Sequence, residues 1–191
     1  MRTQLRIVAG SLKGRKLACT VAPDLRPMPD RVRESLFNIL SEVVLDRPFF
    51  DLFAGTGAVG FEALSRGASQ VTFVERDGRA AGDIQKHLHA FGVSDLACVV
   101  RADVYRWAVR WQPPDEPANV FLGPPYPDYD RALNELMQVV HLAQENLAPG
   151  SVLILQSEKG FDLATLPKAQ TWDNRHYGRS QLSIWTKDAD V

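Results

Sequence analysis

Short apolar runs alternate with longer amphipathic stretches along most of the chain from residue 48 onwards. The apolar runs predict strands, because they are short, rich in Val, Phe, Ile and Leu, and bounded by turn residues. They lie at 49–53, 70–75, 96–101, 118–122 and 151–156, with two further β-like segments at 169–176 and 181–186. The intervening stretches predict helices. The first helix ends near residue 66, and the others span about 78–91, 103–111 and 129–147. Such alternation predicts an α/β fold with a mostly parallel sheet and helices on both faces.

The segment before this pattern is organised differently. Two apolar runs flank a glycine-containing basic stretch in "LRIVAGSLKGRKLACTV", which predicts a β-hairpin. The proline-rich "APDLRPMP" predicts an extended connector, after which Asp30 can cap a helix with Val32, Leu36 and Leu40 on its apolar face. We therefore predict a hairpin extension and connector at 1–29 and a main domain at 30–191.

Composition places the chain among ordinary globular proteins and excludes several other classes. Of 191 residues, 45% are hydrophobic and 24% are charged. No apolar run approaches the ~20 residues that span a bilayer, and the first residues lack the apolar core of a secretory signal. Cys19 and Cys98 form neither a metal spacing nor a disulfide framework. We therefore expect a cytoplasmic protein with no bound metal and no membrane contact.

The charge distribution suggests the kind of partner. The net charge is −1, yet residues 1–33 hold eight Lys and Arg against two Asp, which leaves a net charge of −7 on the remainder. A basic front on an acidic body is typical of a protein that holds a polyanion at one end. The alternative is a basic terminus that is merely solvated.

Candidate chemistry follows the strands, because ligands of parallel sheets bind at the carboxyl ends of the strands. Asp51 ends the first strand of the main domain, and the spacing of Gly55, Gly57 and Gly60 matches a dinucleotide-binding fingerprint. This spacing alone is a weak signal, since a glycine turn can also serve packing. Glu75 follows the next strand, 20 residues after Gly55, where an acid can accept the hydroxyls of a ribose.

Asp103 follows the third strand and can accept a hydrogen bond from an adenine amine, although it can also cap the helix that follows. Together these acids predict an adenosine site, which fits either a nicotinamide cofactor or S-adenosylmethionine. Asp51 favours S-adenosylmethionine, because a carboxylate at the glycine loop would repel a pyrophosphate and attract an amino group. A nicotinamide-dependent reductase is therefore the less favoured hypothesis.

The fourth strand ends in "GPPY", which comprises Gly123, Pro124, Pro125 and Tyr126. A Pro-Pro corner is stiff, and its carbonyl oxygens remain free to accept hydrogen bonds. The tyrosine adds a flat face for stacking. This combination suits an extruded base whose exocyclic amine must be held. The alternative is a proline-rich turn with a tyrosine in the core.

The motifs "DLFAGTGAVGFEALSRGA", "VERD", "RAD" and "PPY", in that order, resemble class I S-adenosylmethionine-dependent methyltransferases that act on exocyclic amines. The segments "RIVAGSLKGRKL", "RPMPDRVRESLFNIL" and "RHYGRSQLSIW" narrow the resemblance. They are similar to the bacterial ribosomal small-subunit methyltransferase D family, which methylates the N2 amine of one guanine in 16S ribosomal RNA. The resemblance covers nearly the whole chain.

This resemblance implies a seven-stranded sheet with a reversed hairpin at its end and an N-terminal hairpin that helps hold RNA. It implies cofactor contacts at Asp51, Phe53, Ala54, Gly55, Thr56, Gly57, Glu75, Arg76, Asp103 and Val104. It implies RNA contacts at Arg6, Lys13, Arg15, Lys16, Arg31 and Arg33. We further expect a monomer that acts on 16S ribosomal RNA within an assembling small subunit.

One position departs from the family's pattern, which has Asp or Asn before Pro-Pro-Tyr or Pro-Pro-Phe. Gly123 stands there, so one side-chain acceptor for the target amine is missing. A hydrogen bond to a charged group contributes roughly 1.5–3 kcal/mol, so the rate would fall about 10- to 150-fold. A competing hypothesis gives Gly123 a positive φ that an Asp could not adopt.

Two further functions remain open on these residues. A DNA adenine or cytosine N-methyltransferase shares the "PPY" motif, although the basic hairpin and the absence of a target-recognition domain weigh against it. A catalytically weak RNA-binding relative is the other alternative, and Gly123 is its best support.

Overall fold

The computed structural model describes residues 2–20 and 28–188. The chain begins with an antiparallel hairpin of β1 (Arg2–Arg6) and β2 (Lys16–Thr20), in which Leu5 pairs with Leu17. The residues between these strands fold back onto the body, where Ile7 and Leu12 are buried. Most of the predicted proline-rich connector lies outside the described residues.

The central sheet has seven strands in the order β5-β4-β3-β6-β7-β9-β8. Their bounds are β3 (Pro48–Leu52), β4 (Gln70–Glu75), β5 (Ala97–Arg101), β6 (Asn119–Leu122), β7 (Val152–Glu158), β8 (Asp173–Tyr177) and β9 (Ser180–Thr186). The first five run parallel, and β9 pairs antiparallel with both β7 and β8. The α/β prediction is confirmed, including the reversed hairpin at the end of the sheet.

In the described part of the chain, six α-helices flank the sheet, and all but the shortest contribute buried residues. They are α1 (Asp30–Leu40), α2 (Ala58–Ser65), α3 (Gly78–Phe91), α4 (Val104–Ala108), α5 (Asp128–Arg131) and α6 (Leu133–Asn146). On one face, residues of the hairpin and of α1, α2 and α3 share a core with Phe49, Phe73 and Phe121 of the sheet. On the other face, residues of α4 and α6 share a core with Leu52, Leu122 and Leu155. Both faces of the central strands are therefore covered, as their continuous apolar residues require.

Local structure differs from the predictions at three places. The helix predicted over 129–147 is divided at Ala132, whose φ of −139° is not helical. Asp30 is the first helical residue rather than the cap, and its carboxylate contacts Arg33 instead. The strand predicted from 169 begins at Asp173, after a 3-10 turn at 169–171. Among the described residues, no helix is long and apolar enough to cross a membrane.

Candidate active site at the switch in strand order

The strand order reverses between β3 and β6, which makes the carboxyl ends of these two strands neighbours. Leu52 of β3 pairs with Leu122 of β6, and the amide of Gly123 donates to the carbonyl of Leu52 at 3.2 Å. The glycine loop after β3 and the Pro-Pro corner after β6 therefore start side by side. A crevice at such a switch point is the usual ligand site of an open parallel sheet.

The glycine loop makes a tight left-handed turn before α2. Phe53, Gly55 and Gly57 have φ values of 64°, 54° and 74°, a region that L side chains rarely adopt. Gly60 has a different role, because a β-carbon there would lie 2.2 Å from the ring of Phe73. The first two glycines of the fingerprint thus shape the loop, and the third allows α2 to pack closely on the sheet.

Glu75 holds the glycine loop from the neighbouring strand. One of its carboxylate oxygens accepts the amide of Gly55 at 2.7 Å, and the other accepts the amide of Asp77 at 2.7 Å. Each carboxylate oxygen can accept a second hydrogen bond. Glu75 therefore fixes two turns at once and keeps acceptor capacity for a hydroxyl-bearing ligand.

Asp51 lies beneath the loop and is buried. Its Oδ2 accepts the amide of Gly60, in the first turn of α2, at 2.8 Å. Burial raises the pKa of Asp51 to about 8, the Gly60 hydrogen bond opposes this rise, and the charge of Glu75 adds to it. A cationic ligand group in this position would stabilise the carboxylate form.

The predicted adenine-binding residues follow β5. Asp103 caps α4 by accepting the amide of Arg106 at 3.2 Å, so the capping interpretation is confirmed. Val104 is buried behind it, and Arg76, at the end of β4, is exposed. The adenine contact of Asp103 stays a prediction. The second carboxylate oxygen of this half-buried residue can still accept a hydrogen bond from a ligand.

The corner after β6 combines open acceptors with an aromatic face. Pro124 is buried, whereas Gly123, Pro125 and Tyr126 are half-buried. The carbonyls of Pro125 and Tyr126 accept amides of the following turn. No donor in the described part of the chain reaches the carbonyl of Gly123 or of Pro124. These two oxygens therefore keep their capacity to accept hydrogen bonds.

Gly123 does not have a positive φ, so this premise of the competing hypothesis is wrong. A different obstacle faces a side chain at this position. A β-carbon on Gly123 would lie 2.8 Å from the ring of Phe121, which is buried in the core. An Asp at 123 would therefore require that ring to move.

A groove beside the corner was not predicted from the sequence. It has a volume of about 420 Å³, and its lining includes Tyr126, Tyr129, Glu158, Lys159, Phe161 and Asp162. The rings of Tyr129 and Phe161 meet edge to face with centroids 4.8 Å apart. Glu158 ends β7, and Lys159, Phe161 and Asp162 follow it. The rule that ligands bind after parallel strands could therefore have found these residues.

Five of the six predicted RNA-binding side chains are exposed: Arg6, Lys13, Arg15, Lys16 and Arg31. The prediction for Arg33 is corrected, because its side chain is only 1% exposed. Its guanidinium contacts Glu62, Asp30 and the carbonyl of Arg6 instead. Because it is buried, the Arg33 side chain cannot contact a phosphate. The segment "DRVR" does not show from sequence alone that Arg33 points inward and Arg31 outward.

Glu62 and Ser65 of α2 fasten the hairpin to the body, a role that sequence analysis missed. The Glu62 carboxylate accepts the amides of Val8 and Ala9 at 2.8 and 3.0 Å and pairs with Arg66 at 2.9 Å. The Ser65 hydroxyl accepts the amide of Leu12 at 2.9 Å. All residues of α2 are buried, so the hairpin covers the helix that begins at the glycine loop.

The donor set fits S-adenosylmethionine. The left-handed loop allows a ligand to approach the backbone closely. Glu75 keeps acceptor capacity for a ribose, and a cation near buried Asp51 would stabilise its ionised form. No described group of three or more His, Cys, Asp or Glu could hold a metal ion.

Comparison with known proteins agrees with this geometry. A family model described as Conserved hypothetical protein 95 matches residues 5–186. Ribosomal RNA small subunit methyltransferase D of Escherichia coli (strain K12) is 37% identical over 166 residues, covering 86% of this chain and 80% of the relative. The chain belongs to the ribosomal small-subunit methyltransferase D family.

Solved structures extend the comparison. An Escherichia coli protein described as a candidate methyltransferase is 32% identical with a TM-score of 0.81, covering 98% of this chain and all of that chain. A Thermus thermophilus 16S rRNA N2 G1207 methyltransferase, solved with S-adenosylmethionine and guanosine, has a TM-score of 0.75 at 23% identity. It covers 98% of this chain and 50% of that chain, and at this identity it supports the fold alone. The predicted methyltransferase family is confirmed. The predicted cofactor, S-adenosylmethionine, agrees with that family and with the geometry of the site.

Proposed function

We propose that this protein transfers a methyl group from S-adenosylmethionine to the N2 amine of a guanine in 16S ribosomal RNA. The observation that carries the proposal is the pairing of Leu52 with Leu122, which sets the glycine loop beside two open carbonyls. A cofactor held by the loop and an amine held by the carbonyls would then be neighbours. Such alignment of reactants is a large part of what an enzyme must supply.

Each part of the cofactor has a residue suited to hold it. Glu75 accepts ribose hydroxyls with its remaining lone pairs, and Asp103 accepts the adenine amine. Asp51 and the backbone of 54–57 hold the methionine end, where a positive amino group favours the ionised carboxylate. Bound S-adenosylmethionine supplies a methyl group that is already activated by its sulfonium.

The corner holds the target base. The carbonyl oxygens of Gly123 and Pro124 accept the hydrogens of the exocyclic amine and orient its nitrogen. The ring of Tyr126 stacks on the base and compensates for its lost neighbours in the RNA. The proton of the methylated amine can leave to water, so no strong base is required of the chain.

The preference for guanine rests on the groove beside Tyr126 and on a relative. Guanine presents two donors and an acceptor on its pairing edge, and the groove offers Glu158 as an acceptor and Lys159 as a donor. The Thermus thermophilus neighbour was solved with guanosine. The exposed cations of the hairpin would bind the phosphates of the RNA. The protein would act as a monomer in the cytoplasm, and its substrate would be an assembling small subunit.

We further propose that catalysis is slower than it would be with a carboxylate at position 123. The missing acceptor amounts to roughly 1.5–3 kcal/mol, or about 10- to 150-fold in rate. A catalytically weak RNA-binding protein is the extreme form of this proposal, and Gly123 is the observation that favours it.

The decisive experiment incubates the protein with labelled S-adenosylmethionine and small subunits that lack methylated guanine. Naked 16S ribosomal RNA and double-stranded DNA serve as alternative acceptors. Digestion and mass spectrometry should find N2-methylguanosine in the subunit RNA. Label in adenine or cytosine of DNA would replace the proposal with the DNA methyltransferase hypothesis. Tight RNA binding without any label would favour the weak relative.

A further inference from the structure

The turn that carries the corner is anchored by two tyrosine hydroxyls. Tyr105 of α4 donates to Oδ2 of Asp128 at 2.7 Å, and Tyr129 donates to the carbonyl of Gln156 at 2.5 Å. The Tyr129 bond ties the turn to β7. The Tyr105 bond ties it to α4, on the side of the cofactor residues. The two anchors therefore connect the same turn to different parts of the site.

Tyr105 belongs to the cofactor side by its place in the chain and by one contact. It lies two residues after Asp103, which caps α4. Its ring meets the ring of Phe53 edge to face, with centroids 5.3 Å apart. Phe53 is the left-handed residue that begins the glycine loop, so its position depends on the conformation of that loop. A change in the glycine loop would therefore move the ring against which Tyr105 packs.

Asp128 passes this position to the corner. It begins α5, and its amide donates to the carbonyl of Pro125 at 2.9 Å. The same residue thus binds α4 through its side chain and the second proline of the corner through its backbone. Burial, followed by the hydrogen bond to Asp128, raises the pKa of the Tyr105 phenol, so the hydroxyl stays a donor at neutral pH.

We propose that Tyr105 and Asp128 are a positioning pair that couples occupancy of the cofactor site to the orientation of the Pro-Pro corner. The pair matters more here because Gly123 has no side chain. The target amine then depends on backbone carbonyls, whose direction follows the turn that Asp128 begins. This role in catalysis rests on the proposed function of the corner, whereas the coupling itself requires only that the cofactor site be occupied.

Hydrogen exchange on the full chain tests the coupling without any methyl acceptor. S-adenosylhomocysteine, the demethylated product, serves as the probe, and the amides of 54–57 and of 128–132 are followed. In the parent protein, saturating probe should slow exchange in both segments. In Tyr105→Phe, which keeps the ring against Phe53, 54–57 should still be protected, and 128–132 should respond less than about half as strongly.

Matched variants separate the pair from general loosening of the turn. Tyr129→Phe removes the anchor to β7, and the response of 128–132 to the probe should persist. Asp128→Asn keeps an oxygen that can accept from Tyr105 and should retain the response, whereas Asp128→Ala should lose it. The double variant Tyr105→Phe, Asp128→Ala should lose no more than either single variant, because both remove one interaction.

Kinetics give an independent readout. In a single-turnover assay, Tyr105→Phe should slow methyl transfer about tenfold or more, the loss of one hydrogen bond to a charged group. Its dissociation constant for S-adenosylhomocysteine should stay within twofold of the parent's. An unchanged response of 128–132 in Tyr105→Phe would overturn the proposal. A lost response in a protein that never methylates guanine would uphold the pair and reject the proposed function instead.

Discussion

The two sides of the switch point are built in opposite ways. On the β3 side, the carboxylates form hydrogen bonds within the chain, because Glu75 accepts two backbone amides and Asp51 accepts the amide of Gly60. On the β6 side, the corner leaves the carbonyls of Gly123 and Pro124 without a donor in the described residues. The cofactor side is thus complete as hydrogen-bonded structure, and the target side is not.

This difference in internal hydrogen bonding indicates what each side gains when its ligand binds. A cofactor site held by internal hydrogen bonds needs only small adjustments on binding, which reduces the cost of association. An open corner gains its hydrogen bonds only when the target base arrives. The following experiments break or sharpen this contrast, from the largest expected effect to the smallest.

Removing the Glu62 carboxylate should do the most damage, because α2 and the hairpin are fastened there. Glu62→Ala leaves the guanidinium of Arg33 buried without its nearest buried carboxylate. We expect the free energy of unfolding to fall by about 3–5 kcal/mol, as when one partner of a buried pair is lost. Chemical denaturation measures it, with Glu34→Ala on the exposed side of α1 as control. A loss below ~1 kcal/mol would show that Glu62 does not fasten the hairpin.

Restoring a carboxylate at the corner should raise the rate of methyl transfer. Gly123→Asp adds an acceptor for the target amine, but its β-carbon meets the ring of Phe121. We expect the full gain of about 10- to 150-fold only in the double variant with Phe121→Leu, which makes room. Single-turnover rates and melting temperatures should be measured together. A stable double variant with no gain in rate would contradict the missing-acceptor account.

Breaking the cofactor side at Glu75 should weaken binding of S-adenosylhomocysteine. Glu75→Ala leaves the amides of Gly55 and Asp77 without their acceptor, and we expect a cost of about 1–3 kcal/mol in affinity. Calorimetric titration measures it. Glu75→Gln is the control, since its amide oxygen can still accept one amide. Equal affinity in parent and Glu75→Ala would remove Glu75 from the ribose site.

Charge reversal on the hairpin should change RNA binding and leave the cofactor side unaffected. Replacing Lys13, Arg15 and Lys16 by Glu should lower RNA affinity and flatten its dependence on salt, because fewer counterions are released. Reversal of Arg175 on β8, at an edge strand of the sheet, is the control. Unaltered salt dependence in the triple variant would place the RNA elsewhere.

The most gradual effect, which is small per unit of pH, concerns protons at Asp51. Its folded pKa of about 8 lies above the ordinary value of 3.8, so the folded state holds the extra proton between these limits. Its contribution to stability is therefore complete below pH ~4 and is lost as the pH rises through 8. Asp51→Asn should flatten the pH dependence of unfolding across this window.

A cationic cofactor favours the carboxylate form of Asp51, so binding at pH 7 should release up to about one proton, which calorimetry in different buffers detects. The absence of proton release would argue against an amine beside Asp51.

Local sequence determined much of this protein. The strands and most helices follow from apolar runs and their periodicity, and the left-handed turn follows from two glycines that tolerate positive φ. The acids at strand ends were predictable because parallel strands present their carboxyl ends at one edge. Each of these features depends on neighbours along the chain, which is why sequence alone revealed them.

Tertiary structure decided the remainder. Arg31 and Arg33 look alike in sequence, but only Arg33 meets buried Glu62, which lies 29 residues further along the chain. Tyr105 and Asp128 are 23 residues apart, and the ring of Phe121 crowds a side chain at Gly123 only because the fold turns that ring back on it. Whether a charge is buried, and which oxygen it meets, depends on elements distant in sequence. Those contacts exist only once the sheet has brought its strand ends together.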